Sequence, residues 1–199
     1  MIPLMYKNYK KCAEVFQQGF GFTSAYDEKP YIATFGLGPC IAIVGYNAKY
    51  KIGFIYHIDN KKCFCDSNVG NFYYNINKIK TQYNMEKINF DVSLFGSTTY
   101  YQKDFVEYIY TQFKRYNVFW RKNHIKINIV ENNINTDNNS TSVCLNTKDG
   151  TFYSFDGHNS IMNEWGCDKM KGREYSMIIN SMSDKPNLHN DYYGKMQVV

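Results

Sequence analysis

Two short apolar runs, Cys40–Tyr46 and Ile52–Ile58, flank the polar segment Asn47-Ala48-Lys49-Tyr50-Lys51. Neither run has the length of a stable helix, and Ile and Val dominate both. They therefore read as neighbouring strands buried on both faces, joined by a loop of hairpin length. With the turn centred between Ala48 and Lys49, Cys40 and His57 lie directly opposite each other. Such partners hold their Cβ atoms roughly 4.5–5.5 Å apart, within reach of a thiol–imidazole hydrogen bond. A one-residue slip would send the two side chains to opposite faces, so the contact depends on register.

The rest of the chain mixes both element types. Cys12, Val15, Phe16 and Phe20 fall at helical spacing and predict a helix from Asn8 to about Phe20, closed by Gly19 and Gly21. Tyr31–Phe35 reads as a strand broken by Gly36 and Gly38, and Asn71–Lys87 as an ambiguous stretch with a short helix ending near Glu86. Ile88–Phe95 is a strand running into Gly96-Ser97. Gln102–Asn117 is the strongest helix, with Phe105, Ile109 and Phe113 on one face. Ile125–Val130 is a strand, Asn132–Ser142 a polar loop, and Ser142–Asn146 with Thr151–Phe155 a second hairpin around Lys148-Asp149-Gly150. Beyond Gly157 the only element signal is a strand at Ser176–Asn180. One mixed α and β domain spanning 1–199 accounts for this pattern.

Composition limits the function classes. At 44% hydrophobic and 18% aromatic, 199 residues can bury a core without disulfides or metals. Met1–Met5 is too short for a signal-peptide core, and no apolar run has the length of a membrane span. The expected location is the cytoplasm, with a secreted effector role left open, and no membrane partner. The six cysteines (12, 40, 63, 65, 144 and 167) are then reduced thiols. Cys63-x-Cys65 is a single pair, and His124, His158 and His189 lack ligand-spaced partners, so neither metal nor other cofactor is expected. Net charge is +5, and Phe113-Lys114-Arg115-Tyr116 with Trp120-Arg121-Lys122 interleaves aromatic and basic residues as nucleic-acid surfaces do. An amphipathic helix with a solvated basic face explains the same residues, so no nucleic-acid partner is assigned. Nothing in the sequence signals an oligomeric state.

The pair Cys40/His57 supplies what acyl-transfer chemistry needs. A thiol becomes a nucleophile when a neighbouring imidazole takes its proton and later returns it to a leaving amine. The imidazole needs a third group to fix its tautomer, and Thr34, at the end of the preceding strand, is the candidate. Gly36 and Gly38 let the chain turn back beside Cys40. Pro39 has no N–H, so an oxyanion would be held by the backbone of Cys40 with Ile41 or Gly38. Asp59 shares the strand face of His57. By residue type alone, a buried core cysteine and a structural histidine are the competing description.

The local text Thr34-Phe-Gly-Leu-Gly-Pro-Cys40-Ile-Ala-Ile-Val, followed by Lys51-Ile-Gly-Phe-Ile-Tyr-His57, resembles the signature of the CheD family of protein-glutamine deamidases. The Thr–x5–Cys–x16–His spacing is matched by Thr34, Cys40 and His57. Val92-Ser-Leu-Phe-Gly96-Ser97 is similar to the family's strand entering a Phe-Gly-Gly-Ala turn, and the order of elements agrees over roughly residues 30–157. Residues 158–199 are an unmatched C-terminal extension. Pro39 stands in place of a Ser, Ser97 in place of a Gly, and the long helix expected between His57 and Phe90 is not evident. The resemblance implies a layered α/β (α+β) sandwich, with mixed sheets packed together and helices outside. It implies Cys40 as nucleophile, His57 as base and Thr34 as its orienter, a catalytic arrangement similar to that of cytotoxic-necrotizing-factor-type deamidase toxins. The partner implied is a protein presenting an exposed glutamine. The same chemistry on a small amide, transfer to an amine, and a catalytically inactive binding module are the alternatives.

Overall fold

The computed structural model describes residues 12–97, 103–135, 141–156 and 194–195. In chain order the elements are β1 (Cys12–Glu14), β2 (Gly19–Ser24), β3 (Tyr31–Leu37), β4 (Ile41–Asn47), β5 (Ile52–Ile58), α1 (Asp66–Gln82), β6 (Ile88–Ser97), α2 (Lys103–Phe119), β7 (Ile125–Asn135), β8 (Thr141–Asn146), β9 (Thr151–Asp156) and β10 (Gly194–Lys195). Strands β1-β3-β8-β9 make one sheet and β10-β2-β5-β4-β6-β7 the other. Both are mixed, because β1–β3 and β6–β7 pair in parallel while the other neighbours are antiparallel. This is the expected layered sandwich of packed mixed sheets with helices outside.

The apolar hairpin β4–β5 forms its middle layer. Ile41 and Ile43 of β4, with Phe54, Tyr56 and Ile58 of β5, share one core with Val69, Phe72 and Ile76 of α1 and Phe105, Ile109 and Phe113 of α2. The intervening residues Ala42, Val44 and Ile55 share a second core with Ile32, Val143 and Leu145 of the four-stranded sheet. Successive strand residues face opposite sides, so each apolar position of these two strands meets one core or the other. That is why their sequence is apolar without alternation. The aromatic residues fill the helix-side core: the Phe54 ring lies 4.8 Å from that of Phe72 and 5.0 Å from that of Phe90.

Three stretches differ from the sequence reading. The helix expected up to Phe20 is instead β1, a turn and β2 in the described residues, its earlier part lying outside them. Cys12, Ala13 and Glu14 pair in parallel with Tyr31, Ile32 and Ala33, and the Val15 N–H extends the ladder to the Ala33 carbonyl at 2.8 Å. Ladder bonds to a neighbouring strand outweighed helical spacing there. Between His57 and Phe90, by contrast, a long helix is present: α1 runs for 17 residues, with Asp66 in its first turn complementing the dipole. β7 continues to Asn135, into the stretch read as loop, because backbone pairing with β6 through Ser97↔Asn135 requires no apolar side chains.

On α2, Phe105, Ile109 and Phe113 are buried while Lys114 and Arg115 are exposed, as the amphipathic reading requires. No helix among the described residues is long and apolar enough to cross a membrane. The strand expected at Ser176–Asn180, together with Cys167, His158 and His189, lies outside the described residues.

Candidate active site

The β4–β5 register sets Ala42, not Cys40, opposite His57, and Ile41 opposite Ile58. The turn is centred between Lys49 and Tyr50, one position later than expected. Asn47 pairs with Ile52, the Asn47 side chain accepts the Tyr50 N–H at 2.8 Å, and Lys51 completes the loop at φ 52°. A two-residue shift preserves the face. Cys40 and His57 therefore stay on the same side of the hairpin as diagonal neighbours, a pairing in which Cβ atoms lie about 7 Å apart. Continuing the register sets Asp59 across from Cys40.

Thr34 comes from the other sheet. Along β3 the partners change from Thr34↔Val143 to Leu37↔Thr141, so β3 carries an extra residue, with Gly36 at φ 69°. This is a β-bulge of the kind that needs glycine, and the Gly36 N–H donates to Oγ of Ser142, opposite it on β8, at 3.0 Å. The chain then crosses through Gly38, Pro39 and Cys40 into β4. The Gly38 N–H donates to the Gly36 carbonyl at 2.8 Å, so both glycine N–H groups are engaged. Ile41, fully buried, opens β4 between Ile58 and Gly96.

Across the two sheets Thr34 Oγ1 and His57 Nδ1 lie 2.6 Å apart, and Thr34 Oγ1 donates to the Val15 carbonyl at 2.7 Å. A carbonyl can only accept, so the hydroxyl proton is committed to Val15 and the Thr34 oxygen accepts from the imidazole. His57 therefore carries its proton on Nδ1 and presents a lone pair at Nε2. That atom is buried and has no hydrogen-bond partner among the described residues, Cys40 included, so the expected thiol–imidazole hydrogen bond is not formed at the observed register. Buried polar atoms are ordinarily satisfied, and an unsatisfied one on a histidine of fixed tautomer is a base without a proton. The structure thus joins Thr34 to His57 as expected, and adds Val15, whose role as a backbone carbonyl no sequence signal could have marked.

Charge in the site follows from burial. Cys40 is 4% exposed and His57 is 3% exposed. Burial, helped by the negative charge of Asp59, pushes the Cys40 thiol up to about 11. Burial brings the imidazole down to about 4, against the opposing pull of Asp59. Between those limits the pair rests as a neutral thiol and a neutral imidazole. A thiol in this state does not alkylate as a standing thiolate would at neutral pH.

The depressed His57 value also has a consequence for stability. An unfolded chain takes up this proton near pH 6.5 and the folded one only near 4, so folding stability falls as pH drops through that window. The loss is about 3 kcal/mol for this group. Urea unfolding at pH 7 and pH 4 is expected to show it in the wild type and not in His57→Gln, compared as a difference between the two proteins.

The sequence reading missed Gln17 and Gln18, which the expected helix hid. Both donate through Nε2 to Asp59 Oδ2, at 3.0 and 2.8 Å. Asp59 Oδ1 accepts from Cys63 Sγ and Asn60 Nδ2, each at 2.8 Å. Burial opposes the charge of Asp59, but the bonds from Cys63, Gln18 and Gln17 prevail and hold its carboxyl below the usual range. Cys63, of the Cys63-x-Cys65 pair, thus anchors this carboxylate. Gly96 matters by proximity: a Cβ built there would stand 2.5 Å from the Cys40 carbonyl oxygen. No group of three metal-ligating side chains occurs among the described residues.

A thiol, an imidazole with its free lone pair, and a hydroxyl that orients the ring are the parts of a nucleophilic acyl-transfer site. Neither the protein-family models nor the curated proteins searched contain a match to this chain.

Proposed function

We propose that the chain is a CheD-like cysteine amidohydrolase that converts glutamine side chains of a target protein to glutamate. The observation that carries this reading is the tautomer of His57: Thr34 and Val15 consign the ring proton to Nδ1 and leave Nε2 as a base on the face of Cys40. In the reaction, Nε2 takes the thiol proton as Cys40 Sγ attacks the carboxamide carbon. The imidazolium returns that proton to the amide nitrogen, the C–N bond breaks, and ammonia leaves a thioester. Water, losing a proton to Nε2, attacks the thioester, and the C–S bond breaks to give the carboxylic acid and the free thiol. Thr34 holds the ring orientation throughout. Asp59, close enough to raise the imidazole's proton affinity, stabilises the imidazolium formed on attack.

The test is incubation of chemoreceptor, small-GTPase and translation-factor panels with wild type, Cys40→Ala and His57→Gln. The expected result is ammonia release and a Gln-to-Glu mass shift at defined positions with wild type only. Release that persists in Cys40→Ala, or none from any panel member with wild type, rejects the reading.

A further inference from the structure

A carboxamide already lies at the nucleophile. Gln17, on the turn joining β1 to β2, is an exposed residue, yet its Nε2 sits 3.9 Å from Cys40 Sγ while donating to Asp59. The turn is bent to reach this position. The Gly19 N–H closes it on the Phe16 carbonyl at 3.0 Å, and Gln18 takes φ 61°, a conformation that non-glycine residues seldom adopt. Gln18 then donates to the same Asp59 oxygen as Gln17. On its far side Asp59 is fixed by Cys63 and Asn60.

A carboxylate beside a nucleophilic thiol disfavours the thiolate, so besides stabilising the imidazolium its placement there calls for a further purpose. An ionised carboxylate only accepts hydrogen bonds. It therefore suits the NH2 of a primary carboxamide, gains nothing from an ester, and repels an acid. Resting on the reading of Cys40 as nucleophile, we propose that Asp59 and Cys40 form a subsite for a primary carboxamide, which Gln17 fills in the unliganded chain as a stand-in for the target glutamine. The target side chain displaces Gln17 and offers its NH2 to Asp59, and hydrolysis removes that donor. The glutamate product then faces Asp59 as a like charge, which favours its departure.

Alkylation of Cys40 in the full chain tests this without requiring turnover. Iodoacetamide brings a primary carboxamide to the sulfur, and methyl iodoacetate brings the same electrophilic carbon with no N–H. Rates are read by peptide mass spectrometry, with the partly exposed Cys65 of the same molecule as the internal standard for intrinsic reactivity. The iodoacetamide-to-ester ratio at Cys40 is expected to exceed that at Cys65 by about tenfold, as a charge-assisted hydrogen bond would provide. Asp59→Asn is expected to bring the two ratios within about twofold of each other. Gln17→Ala, a change at an exposed position, is expected to raise the iodoacetamide rate at Cys40 about fivefold or more by emptying the subsite. Equal ratios at Cys40 and Cys65 in the wild type, or an unchanged rate in Gln17→Ala, would overturn the proposal, and both readouts survive if Asp59→Asn does not fold. A tenfold ratio without any deamidation would reject the enzymatic reading and keep the subsite; deamidation with equal ratios would do the reverse.

Discussion

Thr34→Val is expected to lower the rate of ammonia release by about two to three orders of magnitude, the scale of general-base catalysis. The substitution keeps the shape of the side chain and removes its oxygen. The Val15 carbonyl then loses its donor and the His57 Nδ1–H its acceptor, both in a site where Thr34 is fully buried. An unsatisfied buried group costs about 1–3 kcal/mol, so with two such groups urea unfolding should register a loss of about 2–6 kcal/mol. With the ring released, the proton is free to sit on Nε2, and a histidine in that tautomer cannot accept the thiol proton. The fall should appear in kcat and not in KM, because Thr34 acts through the ring and is closed off from substrate. Thr34→Ser, which restores the oxygen, should recover most of both quantities. A Thr34→Val protein with the expected stability loss and an undiminished kcat would show that the hydroxyl holds the fold and not the base.

Gly96→Ala is expected to reduce activity by about a hundredfold, the cost of misplacing a reacting group by about an ångström. β6 runs beside β4 with Gly96 paired to Ile41, and the added methyl would meet the Cys40 carbonyl oxygen at 2.5 Å. That atom is backbone and cannot swing aside. Gly96 also sits at φ 155°, where side chains are rarely accommodated, so the Cys40 peptide must shift. A stability loss of about 1–3 kcal/mol accompanies such overpacking. Gly38 is the control, since a methyl there meets nothing within 4 Å. Gly38→Ala should leave ammonia release within about threefold of wild type, as substitutions free of clash do. Equal losses in the two variants would mean that the crossing from Gly38 to Cys40 is sensitive to any change, and that contact with Gly96 is not the reason.

What could be read from the sequence divides along physical lines. Ile52–Ile58, the second hairpin and α2 were legible because their patterns are local: apolar runs, a Lys-Asp-Gly turn, and apolar residues at helical spacing. Thr34, Cys40 and His57 were legible as a set through their spacing. The register of Cys40 and His57 was inferred from a turn centred between Ala48 and Lys49, whereas the observed turn, with Asn47 capping Tyr50 and Lys51 left-handed, is centred one position later and moves the register by two. The face survived because the shift is even. Gln17 and Gln18 were hidden for the opposite reason. Their segment has helical spacing, but its conformation is set by partners distant in sequence, namely β3 on one side and Asp59 on the other. Long-range pairing of that kind leaves no periodic trace.

The hydrogen bond between Thr34 and His57 joins one sheet to the other. Cys40 and His57 lie with the six-stranded sheet, and the hydroxyl that sets the His57 proton rides on β3, held by β1 and β8. The strand β8 lies more than a hundred positions downstream of Thr34 in the chain. During synthesis, a ribosome-bound chain that has formed only the β4–β5 hairpin would carry Cys40 and His57 with no means of fixing the tautomer. Reactivity toward amides would then emerge only when the last strands of the smaller sheet dock. Under the proposed function, a nascent chain surrounded by glutamine-bearing proteins would stay inert until its fold is nearly complete.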